Sequence, residues 1–302
     1  MNIMIISVLS KQAGFYSQLF FLLNHYIYAK FKNLNFMIDS NNWLFKYKLG
    51  WEDYFVNIDI TNASNENNIS VSHHQQILEC NIYSYKYYIK NVYVYNNFVT
   101  EKIKLTKDNL LLEENYDSIF IRRGDKLAEE SDFISTEKYV DILLSKNPNC
   151  HTIFVQTDDY NCFLDIKNYI AEKKLNIKII TLCNENTKGG MIIFNYNKHG
   201  IEMALNNHEK NKNYISSVIN NLRSTTPIEQ LNNTEIYEHT LNMLIGIQIV
   251  LESNIVICDY SSNVSRFIKL ANKNSNNVFD INNPDKDIDW NKTTCPAFEL
   301  LF

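Results

Sequence analysis

Short apolar runs alternate with longer stretches of helical period along this chain, and that alternation sets the expectation for its fold. Ile3–Leu9 predicts a buried strand, followed by a polar turn at Ser10–Ala13. Gly14–Phe31 is a long amphipathic stretch, and Phe36–Asp39 predicts a second short strand. From about Asp117 the pattern becomes regular. It predicts strand Ser118–Ile121, helix Thr136–Leu144, strand Thr152–Gln156, helix Tyr160–Lys173 and strand Ile177–Leu182. A long polar insertion runs from about Asn184 to Asn233. Helix Glu235–Leu251, strand Asn254–Cys258, helix Ser262–Leu270 and a last strand near Val278 and Phe279 follow. From Leu241 onward the first of these is apolar nearly all round, the pattern of a buried helix.

Strands and helices alternating at these lengths predict an α/β fold with a parallel, doubly wound sheet. In such sheets ligands bind beyond the carboxyl ends of the strands. Two segments give weaker signals. Asn57–Asn68 reads as a polar surface loop, and the Tyr-rich Asn81–Leu110 fits strand and helix alike. The aromatic run between Asp39 and Phe55 (Trp43, Phe45, Tyr47, Trp51, Tyr54, Phe55) reads as packing, although aromatic faces also stack on sugars.

Composition narrows the classes. The 302 residues fit one large domain or two ordinary ones, with 45% hydrophobic residues to build a core. A formal net charge of -5 argues against a general nucleic-acid binder, which shows a basic field. The first apolar run is too short to span a bilayer and no cleavage pattern follows it, so a cytoplasmic protein without a membrane span is expected. The six cysteines form no CxxC pair, which predicts separate reduced thiols.

Four places could carry chemistry. Strand 118–121 ends abruptly in Arg122 and Arg123, followed by Asp125, Lys126, Glu129, Glu130 and Asp132. Guanidinium forks match phosphate oxygens and keep their charge, so the pair reads as a diphosphate clamp or as an internal salt-bridge cluster. Asp259-Tyr260-Ser261-Ser262 runs from a strand into a helix start, which suits an anion or an ordinary N-cap. Asp158 and Asp159 follow another strand and could hold a metal or cap a helix, but no third ligand at suitable spacing accompanies them. Gly14–Gln18 follows the first strand without completing a dinucleotide fingerprint.

Taken together, these places resemble the α1,6-fucosyltransferase family, which includes Golgi core fucosyltransferases and bacterial nodulation fucosyltransferases. The family strand ending H-x-R-R-x-D-K is matched by Phe120-Ile121-Arg122-Arg123-Gly124-Asp125-Lys126. A Glu at family spacing falls on Glu130 and a Tyr on Tyr139. T-D-D matches Thr157-Asp158-Asp159, and S-S-x-V-x-R matches Ser261–Arg266. Near the amino terminus, Gly14–Gln18, Asn42-Trp43 and Gly50-Trp51-Glu52 follow the family order. Two positions depart from it. The family His before the arginines is Phe120, and a guanine-reading Asp falls at Gly246, with Asn242 one turn earlier as a substitute.

The resemblance implies a GT-B-like architecture of two Rossmann-like α/β domains. The expected boundaries are 1–110 for an acceptor-side domain and 111–302 for the donor domain. It implies an inverting transferase that uses no metal, takes GDP-fucose as donor and acts on a glycan acceptor. By carry-over Arg122 and Arg123 hold the diphosphate, Ser261 and Ser262 add hydrogen bonds to it, and Asn242 addresses the base. Glu130 is the base with Lys126 beside it, while Asp125, Tyr139, Asp158 and Asp159 shape the site. A transferase of the same fold using another nucleotide sugar, and an inactive nucleotide- or glycan-binding protein, are the alternatives.

Overall fold

The computed structural model of the chain describes residues 3–59, 67–72, 82–123, 133–187 and 230–288. These residues form two compact units. One holds the described residues within Met1–Lys102, Asn233–Leu241 and Ile288–Phe302; the other holds those within Ile103–Asn232 and Asn242–Asp287. The chain therefore changes unit at 102/103 and returns briefly to the first unit at 233–241, where a single cut at 110/111 was expected.

The first unit is built on three parallel strands in the order β2-β1-β3: β1 Ile3–Val8, β2 Asn35–Asp39 and β3 Asn67–Ser72. Helix α1, Phe15–Lys32, buries residues all round, including Asn24 and His25, and Ser7 Oγ bonds His25 Nδ1 at 2.8 Å. It ends where Asn33 takes the left-handed conformation (φ 53), with Lys30 and Lys32 at its negative end. The chain entering α1 is held by Gln18, whose amide accepts from Ser10 N at 2.8 Å and donates to the carbonyls of Ser10 and Ala13. The glycine–glutamine turn is thus a structural staple.

Two helices, α2 (Ile82–Val92) and α3 (Asn97–Asn109), occupy the Tyr-rich stretch that sequence left open. β3 lies partly within the expected loop. Its residues are mostly polar, it pairs on one side only among the described residues, and on its one apolar face Val71 is buried while Ile69 is exposed.

The second unit is a five-stranded parallel sheet in the order β6-β5-β4-β7-β8. Its strands are β4 Asp117–Ile121, β5 Thr152–Thr157, β6 Lys178–Thr181, β7 Val256–Cys258 and β8 Val278–Asp280. Its helices are α4 Thr136–Lys146, α5 Tyr160–Glu172, α6 Asn233–Glu252 (whose first turns count with the other unit) and α7 Asn263–Ala271. β4 sits in the middle and is buried at every residue, as a central parallel strand covered on both faces must be. Ile119, Ile121, Val140, Leu143, Ile153, Val155, Ile166 and Ile257 form the core between sheet and helices. These elements agree with the expected ones to within a few residues at each end. Most of the long insertion, 188–229, lies outside the described residues.

Candidate active site

The strand order fixes where a ligand can bind. From β4 the chain builds outward through β5 and β6 on one side, then crosses over to add β7 and β8 on the other. The order reverses between β4 and β7, and the crevice beyond the carboxyl ends of two such strands is open, because their following helices go to opposite sides. Arg122 and Arg123 leave β4 there, and Asp259–Ser262 leaves β7.

The two arginines are used differently. Arg122 is part-exposed, and its Nε lies 3.8 Å from Asp158 Oδ2. Arg123 is only 2% exposed and turns inward. Its Nη2 donates to the carbonyl of Ile134, and its guanidinium lies 4.6 Å from the centre of the Phe133 ring. Its backbone N–H donates to Asp158 Oδ1 at 2.6 Å. Arg123 thus ties the end of β4 to residues 133–134, a different use from the diphosphate contact expected of it. Asp125, Lys126 and Glu130 fall between these anchors, outside the described residues.

The paired acids after β5 have separate tasks. Asp158 accepts from the Arg123 backbone and faces Arg122. Asp159 is the N-cap of α5, accepting from Asn161 N at 3.0 Å. Burial pushes its carboxyl above the usual carboxylate range, against the opposing pull of the Asn161 N–H and the Arg123 charge. Among the described residues no group of three or more His, Cys, Asp or Glu is placed to hold a metal.

After β7, Ser262 is the N-cap of α7, accepting from Val264 N at 3.2 Å. Asp259 accepts from Ser261 N at 2.9 Å, and Arg266 Nε donates back to the Tyr260 carbonyl at 2.9 Å. The buried Arg266 therefore fixes the turn that presents Ser261 and the α7 N-terminus. Tyr139 is 2% exposed within the core, and burial holds its hydroxyl well above the ordinary tyrosine range. Asn242 is exposed on α6.

The positions that depart from the family pattern meet one another. Phe120 on β4 pairs in register with Gln156 on β5, so both side chains face the same way. Gly246 on α6 covers that face, where an ideal Cβ would come within 2.1 Å of Gln156 Oε1. In the sequence Gln156 opens the run Gln156-Thr157-Asp158-Asp159 at this strand end, where the paired acids carry the chemical reading and the amide is given no role.

In the first unit the aromatic run is packing. Trp43, Phe45, Trp51, Tyr54 and Phe55 are each at most 3% exposed, and all but Trp51 ring Phe15 with centroids 5.3–6.3 Å away. The Gly50-Trp51-Glu52 element closes a turn in which the Asp53 carboxylate accepts from the N–H groups of Tyr47, Lys48, Leu49 and Gly50. That nest is filled by the protein's own carboxylate.

No helix among the described residues is long and apolar enough to cross a membrane. No protein-family model and no curated protein matches the chain in sequence. Solved structures do match in fold. A NodZ α-1,6-fucosyltransferase soaked with GDP-fucose aligns with a TM-score of 0.54 at 10% identity, over 95% of this chain and 98% of that one. Fucosyltransferase NodZ from Bradyrhizobium aligns with a TM-score of 0.55 at 10% identity, over 95% and 97%. NodZ co-crystallized with GDP aligns at 0.53 and 9% identity, over 90% and 93%. The fold of this chain is that of the NodZ fucosyltransferases: α/β and GT-B-like, with two parallel sheets.

Proposed function

We propose that the chain is an inverting, metal-independent glycosyltransferase that moves fucose from GDP-fucose to a carbohydrate acceptor. The observation that carries this reading is that Arg122 follows β4 and the Ser261–Ser262 helix start follows β7, the two strands at the sheet's reversal point, in a fold shared with fucosyltransferases.

In the proposed reaction an acceptor hydroxyl attacks the anomeric carbon of the donor sugar. Glu130 takes the hydroxyl proton, with Lys126 beside it and Asp125 supporting the loop. The bond from the anomeric carbon to the diphosphate breaks, and the nucleoside diphosphate leaves with the electron pair. Arg122 meets the charge that develops on it, with the partial positive charge at the α7 N-terminus and the Ser261 hydroxyl opposite. Asp158 positions Arg122 and the backbone of Arg123 together, and Arg123 ties the end of β4 to residues 133–134. Asp159, Tyr139 and Ser262 hold the framework, and Asn242 is available to the base.

A second reading has its own support. Phe120 and Gly246 stand where the family pattern has a His and an Asp, which favours a transferase of this fold with a different nucleotide sugar. A donor panel tests both readings: GDP-fucose, other GDP-sugars and UDP-sugars, each with excess EDTA, following release of the nucleoside diphosphate. Turnover of GDP-fucose in EDTA supports the first reading, and turnover of another donor alone supports the second. Activity lost in EDTA and restored by Mn²⁺ or Mg²⁺ overturns metal independence.

A further inference from the structure

Gln156 is a polar side chain with no hydrogen-bonding use among the described residues. It lies near the carboxyl end of β5, part-buried, and its amide makes no hydrogen bond to the described residues; Oε1 is buried against α6 with no donor in reach. A buried, unsatisfied carbonyl oxygen costs roughly 1–3 kcal/mol, and an apolar residue of similar shape would avoid that cost. The neighbouring positions make room for the amide. Gly246 removes the Cβ that would collide with it, and Phe120 lays an apolar ring beside it on the next strand.

Gln156 also stands in line with the proposed phosphate contact. Register pairs Phe120 with Gln156, and two residues further on, just past the end of this ladder, Arg122 meets Asp158 at 3.8 Å. Two strand residues span about 6–7 Å. That is the order of separation a ribose places between a nucleobase and its first phosphate.

We propose that Gln156 is the specificity residue for the donor's nucleobase, reading a lactam edge, an N–H beside a C=O, as found in guanine and in uracil. An amide offers one acceptor and one donor and so pairs bidentately with such an edge. Rotation about the inner side-chain torsions carries the amide edge, Oε1 and Nε2 together, away from Gly246 without breaking any described hydrogen bond. A carboxylate at this place could only accept. Because the amide reads N–H and C=O alone, it is indifferent to the 2-amino group of guanine. The inference rests on the reading of the site as a nucleotide-sugar site and names its base contact.

The test is calorimetric titration of the full chain with GDP, IDP, UDP, ADP and CDP, for wild type, Gln156→Leu and Gln156→Asn. Wild type should bind a lactam-bearing nucleotide at least ~10-fold more tightly than ADP and CDP, the usual weight of a bidentate contact. Tight GDP and IDP with similar affinity identifies guanine-type edges as the source; tight UDP identifies uracil. Gln156→Leu should erase the margin over ADP and CDP while melting no lower than wild type, because no hydrogen bond among the described residues is lost. Gln156→Asn, too short to reach, should lose most of it. A preserved margin in both variants, or a wild-type preference for ADP or CDP, overturns the role of Gln156 and leaves the nucleotide site standing. Wild type binding none of the five overturns both.

Discussion

Adjacent arginines at the end of one strand should respond in opposite ways to the same substitution. Arg122→Ala removes a part-exposed guanidinium whose ion pair to Asp158 is long at 3.8 Å. Pairs of that kind contribute about 0–1 kcal/mol, so stability should hardly change. Arg123→Ala removes a side chain 2% exposed, its hydrogen bond to the Ile134 carbonyl and its stacking on Phe133. A charged hydrogen bond contributes about 1.5–3 kcal/mol, and a desolvated cation–π contact on the order of 1–2 kcal/mol. Relief from burying the charge offsets part of this. A net loss of about 2–4 kcal/mol is expected, which lowers the melting temperature by very roughly 5–15 °C in a domain of this size. Ligand binding should invert the order. Arg122→Ala should weaken nucleoside diphosphate binding at least ~10-fold, as loss of a charge-assisted contact does. The folded fraction of Arg123→Ala should lose less. Thermal unfolding and calorimetric titration of the two variants measure both quantities. An Arg123→Ala protein as stable as wild type, or an Arg122→Ala protein that melts far lower with unchanged affinity, refutes this division of labour.

Other outcomes follow from single contacts. Asp159→Asn keeps a capping acceptor on α5 and removes an ionisation that burial disfavours. A carboxyl with its folded pKa raised binds protons more tightly in the native state, so its contribution is fully present below the unfolded value near 4 and is lost as pH rises through the folded value. Asp159→Asn should therefore match or exceed wild type in melting temperature at pH 7, with any gain gone below about pH 4; a lower melting temperature at pH 7 would count against it. Ser262→Ala should cost about 1 kcal/mol through loss of the α7 cap, read by urea unfolding. Gly50→Ala should destabilise by more than about 1 kcal/mol, because φ is 88° there and an added Cβ would lie 2.1 Å from Ser40 Oγ. Cys150 is buried and its thiol is pushed up to about 12 by that burial. Native alkylation at pH 8 should leave it unlabelled in a peptide map, and rapid labelling would contradict its placement.

What was legible in the sequence divides by physical cause. The second unit's sheet was readable because parallel strands covered on both faces must be continuously apolar, as Ser118–Ile121 and Thr152–Val155 are nearly throughout. β3 was not readable: a strand paired on one side needs few apolar residues, and Asn67, Asn68, Ser70 and Ser72 supply none. The helices α2 and α3 were obscured by tyrosines, which suit both periods. The arginine pair was visible as chemistry, but which arginine faces inward depends on Phe133 and Ile134, which lie further along the sequence. Gln156 stood beside the paired acids in the sequence without a role of its own, because its neighbour Gly246 is distant in sequence and adjacent in space.

The central claim is transfer from a nucleotide sugar at the end of β4, and donor turnover tests it most directly. Wild type, Arg122→Ala and Glu130→Gln are each incubated with GDP-fucose, excess EDTA and a mixed oligosaccharide acceptor pool, and GDP release and fucosylated product are followed. Wild type should form both. Arg122→Ala should lose turnover together with donor affinity. Glu130→Gln should bind donor normally and transfer roughly 10²–10⁴-fold more slowly, the usual weight of a general base. Wild type that neither binds nor turns over GDP-fucose or any other nucleotide sugar, or an Arg122→Ala variant with wild-type turnover, would contradict the claim.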